Sequence, residues 1–221
     1  MDEIITSWEL NAQEWIKTIS EEAISSRQFT NKAMLDAISV IEANSIVDIG
    51  CGEGWLTTIL ANSGKRVVGI DAIEALLQHA RTKSDATFHK MTFEDIVSGT
   101  LIPDGPFDLA IFNFCLYQKE GLVDLLVQVT NNLVTTGTIL IQTLHPNFLM
   151  EQGLPYQSQW IQDSWKGLKG NFTNGHPWFA RTFEDWSSEL QLIPDTKIAL
   201  IEVVNTEEKP LSLLITITKN T

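Results

Sequence analysis

The chain has 221 residues, 43% of them hydrophobic and 19% charged, with 13 Gly and 7 Pro, which is mass enough for one well-cored domain and excludes collagen-like and low-complexity classes. Fifteen basic against 28 acidic side chains leave a net charge of −13, which disfavours nucleic acid and anionic membrane as partners. The two cysteines, Cys51 and Cys115, form neither a CxxC pair nor a zinc pattern, and no apolar run approaches the ~18 residues of a membrane span, so a soluble, cytoplasmic protein without a metal site is expected.

No repeat or linker divides the chain, so it reads as one domain, 1–221, in four stretches: a helical cap (1–44), a core (45–146), an aromatic-rich lid or substrate region (147–190) and terminal strands (191–221). In the cap, Trp8, Ala12, Trp15, Ile16 and Ile19 share one helical face, and Met34, Ala37, Ile38 and Ile41 form a second stripe. In the core, short apolar runs alternate with helix-period segments, the pattern of repeated strand-helix units and a parallel sheet. The spacing predicts a strand at 46–49, a helix at 55–63 stopped by Gly64, a strand at 66–70 and a helix at 73–81. A weaker strand at 86–90 follows, then a strand at 107–114, a helix at 121–134, a turn at Gly137 and a strand at 138–144. Beyond an irregular stretch at 145–181, Thr182 and Asp185 suggest a capped helix carrying Trp186 and Leu190. Runs at 197–204 and 211–219 read as a closing hairpin.

Asp48-Ile49-Gly50-Cys51-Gly52-Glu53-Gly54-Trp55 is a strand running into a glycine-rich turn that opens a helix, the place where a doubly wound sheet binds its ligand. A dinucleotide fingerprint needs glycine where Trp55 stands. Asp48 before the loop would repel a pyrophosphate and attract an ammonium group, favouring S-adenosylmethionine over NAD. Asp71, ending the next strand, suits the two hydroxyls of a ribose in either cofactor.

These residues, spread over 45–146, resemble the class I S-adenosylmethionine-dependent methyltransferases of small-molecule type. The resemblance implies an α/β fold: a doubly wound, seven-stranded, mostly parallel sheet with helices on both faces, an N-terminal helical cap and a C-terminal β-hairpin. It implies S-adenosylmethionine as cofactor, held by Asp48, Gly50, Cys51, Gly52, Gly54, Trp55, Asp71 and Ala72, with Asn113 and Phe114 beside its methionine part. For the adenine it implies Thr92, Phe93 and Glu94, although Thr92 stands where the family usually has Asp. No Asn-Pro-Pro-aromatic run follows the fourth strand, which argues against a nucleobase target.

For the acceptor, Tyr117 and His145 are the candidate catalytic residues, His145 as a general base, and Trp160, Trp178 and Arg181 the candidate substrate contacts; His176 ranks below them. Trp160, Trp165, Phe172, Trp178, Phe179 and Trp186 read either as a seal over the sheet or as a lid. The expected reaction is in-line methyl transfer to a small molecule, O-methylation by preference. An NAD-dependent oxidoreductase or a non-catalytic S-adenosylmethionine-binding protein is the alternative, and the sequence leaves the oligomeric state open.

Overall fold

The computed structural model describes residues 2–220. Two helices, α1 (Asp2–Ser20) and α2 (Arg27–Ser39), precede an alternation of β1 (Ser45–Ile49), α3 (Trp55–Asn62), β2 (Arg66–Asp71), α4 (Glu74–Lys83), β3 (Thr87–Lys90), α5 (Phe93–Val97), β4 (Phe107–Asn113), α6 (Leu122–Thr130) and β5 (Leu133–Leu144). The chain closes with α7 (Asn147–Glu151), β6 (Gln159–Ile161), β7 (Trp178–Ala180), α8 (Phe183–Leu190), β8 (Thr196–Val204) and β9 (Pro210–Lys219).

Seven strands build one sheet in the order β3-β2-β1-β4-β5-β9-β8. Strands β1 to β5 are mutually parallel, and β9 runs antiparallel between β5 and β8. The mostly parallel, seven-stranded fold expected from the sequence is the fold observed. Its centre is apolar on both faces because side chains alternate along each strand. Val47, Ala110, Phe112, Ile139 and Ile141 pack under α6 and α8, while Ile46, Leu109, Ile111 and Leu140 pack under α2 and α3. Among the described residues no helix is long and apolar enough to cross a membrane.

Local details depart from the sequence reading. The expected helix at 121–134 ends at Thr130, because Leu133 already pairs with Phe107 as a strand. Thr92 and Asp95 form a reciprocal capping box that starts the short helix α5. The stretch expected to be irregular holds α7 and the two-stranded ribbon β6-β7, elements too short to leave a periodic signal. Helix α1 lays the expected Trp8, Ala12, Trp15 and Ile16 face on Ile73 and Leu76, yet Ser7, Asn11 and Thr18 on another face are also buried.

What buries them is the loop between β6 and β7. Asn11 Nδ2 donates to Thr173 O (2.7 Å) and Asn11 Oδ1 accepts from Thr173 N (2.9 Å). Ser7 Oγ donates to Asn174 O (2.5 Å) and accepts from Trp165 Nε1 (2.9 Å). Glu14 accepts from Asn171 N (2.9 Å). A polar stripe of the cap helix thus fastens the loop by its backbone, satisfying groups that loops ordinarily give to water.

Candidate functional site

Ligands of a doubly wound sheet bind outside the carboxyl ends of the strands where strand order reverses, here between β1 and β4. A cavity of about 440 Å³ opens there, within the roughly 300–1,000 Å³ usual for small-molecule sites. The segments after β1 to β5 wall it, and α1 with the 163–178 segment covers it.

One end is the glycine turn. Gly50 has φ +73°, and a Cβ there would stand 2.7 Å from the Cβ of Cys115. Gly52 has φ +57° and nothing within 4 Å of its Cβ position, so its backbone borders open space. Asp71 clamps the turn, its Oδ2 accepting from Gly52 N (2.8 Å) and its Oδ1 from Ile73 N (2.8 Å). Burial pushes its carboxyl up to about 6 against those stabilising bonds.

Asp48 is buried beneath the turn. Thr57 Oγ1 donates to its Oδ2 (2.7 Å), while Oδ1 has no protein partner. Burial, with Glu53 and Asp71 nearby, pushes it up to about 7. Burial and the neighbouring carboxylates likewise push up the Cys51 and Cys115 thiols, which disfavours their thiolate forms. Asn113 Oδ1, at the end of β4, is a second buried acceptor without a donor.

Two residues that the sequence reading does not single out, Glu53 and Arg27, complete this end. Glu53 is buried inside the glycine turn, and its Oε2 accepts from Trp15 Nε1 (2.8 Å). Its Oε1 lacks a hydrogen bond and lies 3.9 Å from Arg27 Nη2. The Arg27 guanidinium sits over the Trp55 ring, 5.2 Å from its centroid, with burial pulling its proton affinity down against the pull of Glu53. An acid between two glycines is the only sequence signal for this group; Arg27 carries none.

The other end is aromatic. Trp8, Trp165, Trp178, Phe148, Phe179 and Tyr117 line it, and the Trp8 ring meets Trp15 at 5.2 Å and Trp165 at 4.7 Å between centroids, edge to face in both pairs.

Several expected roles give way here. His145 borders the cavity, but its Nδ1 accepts from Asn147 N (3.0 Å), so Nε2 carries the hydrogen and donates to Glu202 Oε1 (2.8 Å); no nitrogen is left to act as base. The Tyr117 hydroxyl donates to Phe114 O (2.6 Å) and burial pushes its pKa far up, leaving a fixed, protonated wall residue. Arg181 is not a free anion anchor: Nη1 and Nη2 donate to Gln118 O (2.9 Å) and Lys119 O (2.6 Å), and Nε to Glu189 Oε1 (3.2 Å). Its guanidinium also stacks on Phe179 and Trp186, so it ties α8 to the loop after β4. Trp160 is 45% exposed and packs outward on Phe179, away from the cavity, whereas Trp178 lines it beside Phe148. Thr92 borders the cavity, but its hydroxyl is engaged with Asp95 in the helix cap, while Phe93 and Glu94 stand at the same wall. Asp48, Gly50, Cys51, Gly52, Trp55, Asp71, Ala72, Asn113 and Phe114 are brought together around the polar end; Gly54 stands behind, where a Cβ would meet Ala80 at 2.7 Å.

A protein-family model described as a methyltransferase domain matches residues 42–209. A tRNA U34 carboxymethyltransferase of Shewanella baltica is 32% identical over 110 residues, 48% of this chain and 33% of that protein. A demethylmenaquinone methyltransferase of Tropheryma whipplei is 24% identical over 157 residues, 70% of this chain and 65% of that protein. The chain thus spans a third to about two thirds of the length of these curated relatives. Among solved structures, the 1,6-didemethyltoxoflavin-N1-methyltransferase of Burkholderia thailandensis, with bound 1,6-didemethyltoxoflavin and S-adenosylhomocysteine, has a TM-score of 0.69 at 15% identity, over 100% of this chain and 88% of that one. At that identity the likeness is one of fold.

Proposed function

We propose, since the chain belongs to the methyltransferase domain family of class I S-adenosylmethionine-dependent enzymes, that it methylates a small, largely apolar molecule, at an oxygen atom. The observation that carries this reading is the two-ended cavity, polar and acceptor-rich at the glycine turn and aromatic beneath the cap.

The polar end fits the cofactor. Asp48 Oδ1, Glu53 Oε1 and Asn113 Oδ1 are buried acceptors without donors, a set that a cationic, hydrogen-rich group satisfies. Arg27 supplies a positive charge beside them for a carboxylate. Asp71 uses one lone pair of each oxygen on the backbone, which leaves further acceptor capacity for vicinal hydroxyls. With the Thr92 hydroxyl closed into its cap, the adenine edge falls to Glu94 and to the first backbone N–H of α5, at Phe93. When bound, the cofactor supplies a methyl group on a sulfonium, a leaving group that needs no activation.

The chain's own work is then alignment and exclusion of water. Positioning alone lowers a barrier by roughly 7–11 kcal/mol in well-oriented reactions, and the aromatic wall with its fastened loop holds an apolar acceptor in a water-poor space. The net charge of −13 weighs against a polyanion, and the relative named for tRNA matches along 33% of its own length.

The test is calorimetry with S-adenosylhomocysteine, for which Kd in the micromolar range is expected, and in which Asp71→Ala weakens binding by tenfold or more. Incubation of a cell extract with labelled S-adenosylmethionine should place label in the small-molecule fraction. Label confined to RNA or protein would overturn the acceptor class, and no heat with wild type would overturn the cofactor.

A further inference from the structure

Resting on that reading and sharpening its acceptor, we propose that His176 is the catalytic base, its Nε2 accepting the hydroxyl of the molecule to be methylated and taking its proton.

His176 is 1% exposed and belongs to the cavity wall. Its main chain is anchored to Ser164, whose N donates to His176 O (3.0 Å) and whose Oγ accepts from His176 N (3.3 Å). In the ring, Nδ1 lies 3.0 Å from the carbonyl oxygen of Pro177. A carbonyl only accepts, so Nδ1 carries the hydrogen and Nε2 presents a lone pair. That lone pair has no partner. Buried acceptors are ordinarily satisfied, and the exceptions cluster where a ligand belongs.

The surroundings suit an aromatic or other apolar alcohol. The imidazole meets Tyr117 edge to face at 5.0 Å and Trp165 at 5.8 Å, the same rings that wall the aromatic end. Burial lowers the proton affinity of the imidazole, against the pull of the Pro177 carbonyl and the Asp163 carboxylate, which favours the neutral form, the one that accepts a proton. Asp163, on its own loop, is the charge that acts on it, and Tyr117, from the segment after β4, faces it as a protonated phenol. Of the other proton acceptors in the wall, both nitrogens of His145 are engaged, Asp163 Oδ1 accepts from Trp165 N (3.0 Å), and Asp48, Glu53 and Asp71 belong to the glycine turn.

In the step itself, a lone pair of the acceptor oxygen forms the bond to the methyl carbon while the carbon–sulfur bond breaks with its pair left on sulfur. The O–H proton passes to Nε2, and the resulting imidazolium, beside Asp163, returns it to solvent.

A matched pair of probes, 4-nitrophenol and its methyl ether 4-nitroanisole, separates hydrogen bonding from packing, with the protein saturated by S-adenosylhomocysteine. Wild type should bind the phenol about tenfold more tightly than the ether, and in His176→Phe that ratio should fall to near one with S-adenosylhomocysteine affinity unchanged. His176→Gln, which keeps an acceptor, should retain part of the preference. In wild type labelled with ¹⁵N-histidine, the Nε2 resonance of His176 should move with the phenol and stay still with the ether. Equal losses of both probes in His176→Phe, an unchanged ratio, a silent resonance, or no binding of either probe to the loaded wild type would each overturn the assignment. Failure of S-adenosylhomocysteine itself to bind would instead overturn the reading beneath it.

Discussion

Asp48 offers a quantitative test of the polar end. Its carboxyl is 1% exposed and raised by burial to about 7, against an ordinary 3.8. Between those two values the folded chain holds a proton that the unfolded chain has released. Rising pH therefore drains stability, beginning near the unfolded value and ending once pH passes the folded one. Integrated from about pH 5 to about pH 8, the loss comes to roughly 2–3 kcal/mol for this one group, at about 1.4 kcal/mol per decade of proton affinity. Asp48→Asn removes the titration and keeps an oxygen for the Thr57 hydroxyl, which now donates over 2.7 Å. Any fixed cost of the added amide is the same at both pH values, and Asp71 titrates in both proteins. The variant should thus gain roughly 2–3 kcal/mol relative to wild type between about pH 5 and about pH 8, read by urea unfolding with linear extrapolation. A bound ammonium favours ionised Asp48, so wild-type affinity for S-adenosylhomocysteine should climb over the same range more steeply than that of the variant, in which only Asp71 still titrates. A stability difference that does not change with pH would refute the burial argument.

Two glycines of the turn should fail in different ways. Gly50→Ala forces a Cβ to 2.7 Å from the Cβ of Cys115 at φ +73° and should cost roughly 2–4 kcal/mol in thermal or urea unfolding. Gly52→Ala meets nothing in the protein, so it should cost only about 1–2 kcal/mol while weakening S-adenosylhomocysteine binding by tenfold or more in calorimetry; equal stability losses at the two positions would contradict the geometry. Asn11→Ala strips two bonds from Thr173 and should lower local stability of the loop by roughly 2–4 kcal/mol, seen as faster amide exchange across 171–176 with the sheet amides unchanged.

The sheet is legible in the sequence because its determinants are local: β1, β4 and β5 are short apolar runs between turn signals, and the glycine turn after β1 announces which strand ends hold a ligand. The roof is not legible for the complementary reason. Ser7, Asn11, Glu14 and Thr18 look like the solvated side of an amphipathic helix, and only the backbone of residues 169–174, about 160 positions away, turns them into tertiary contacts. The same logic separates paired residues of one type. Arg181 is the arginine the sequence favours, but it meets two carbonyl oxygens and Glu189, whereas Arg27, without a sequence signal, meets the unsatisfied oxygen of Glu53 beside the glycine turn. His145, in the more suggestive place directly after β5, has both nitrogens occupied, and His176, inside a loop without a motif, keeps one free. For a side chain that can hydrogen-bond, chemical availability is what remains after its neighbours have been served, and those neighbours are set by tertiary contacts that no periodicity encodes.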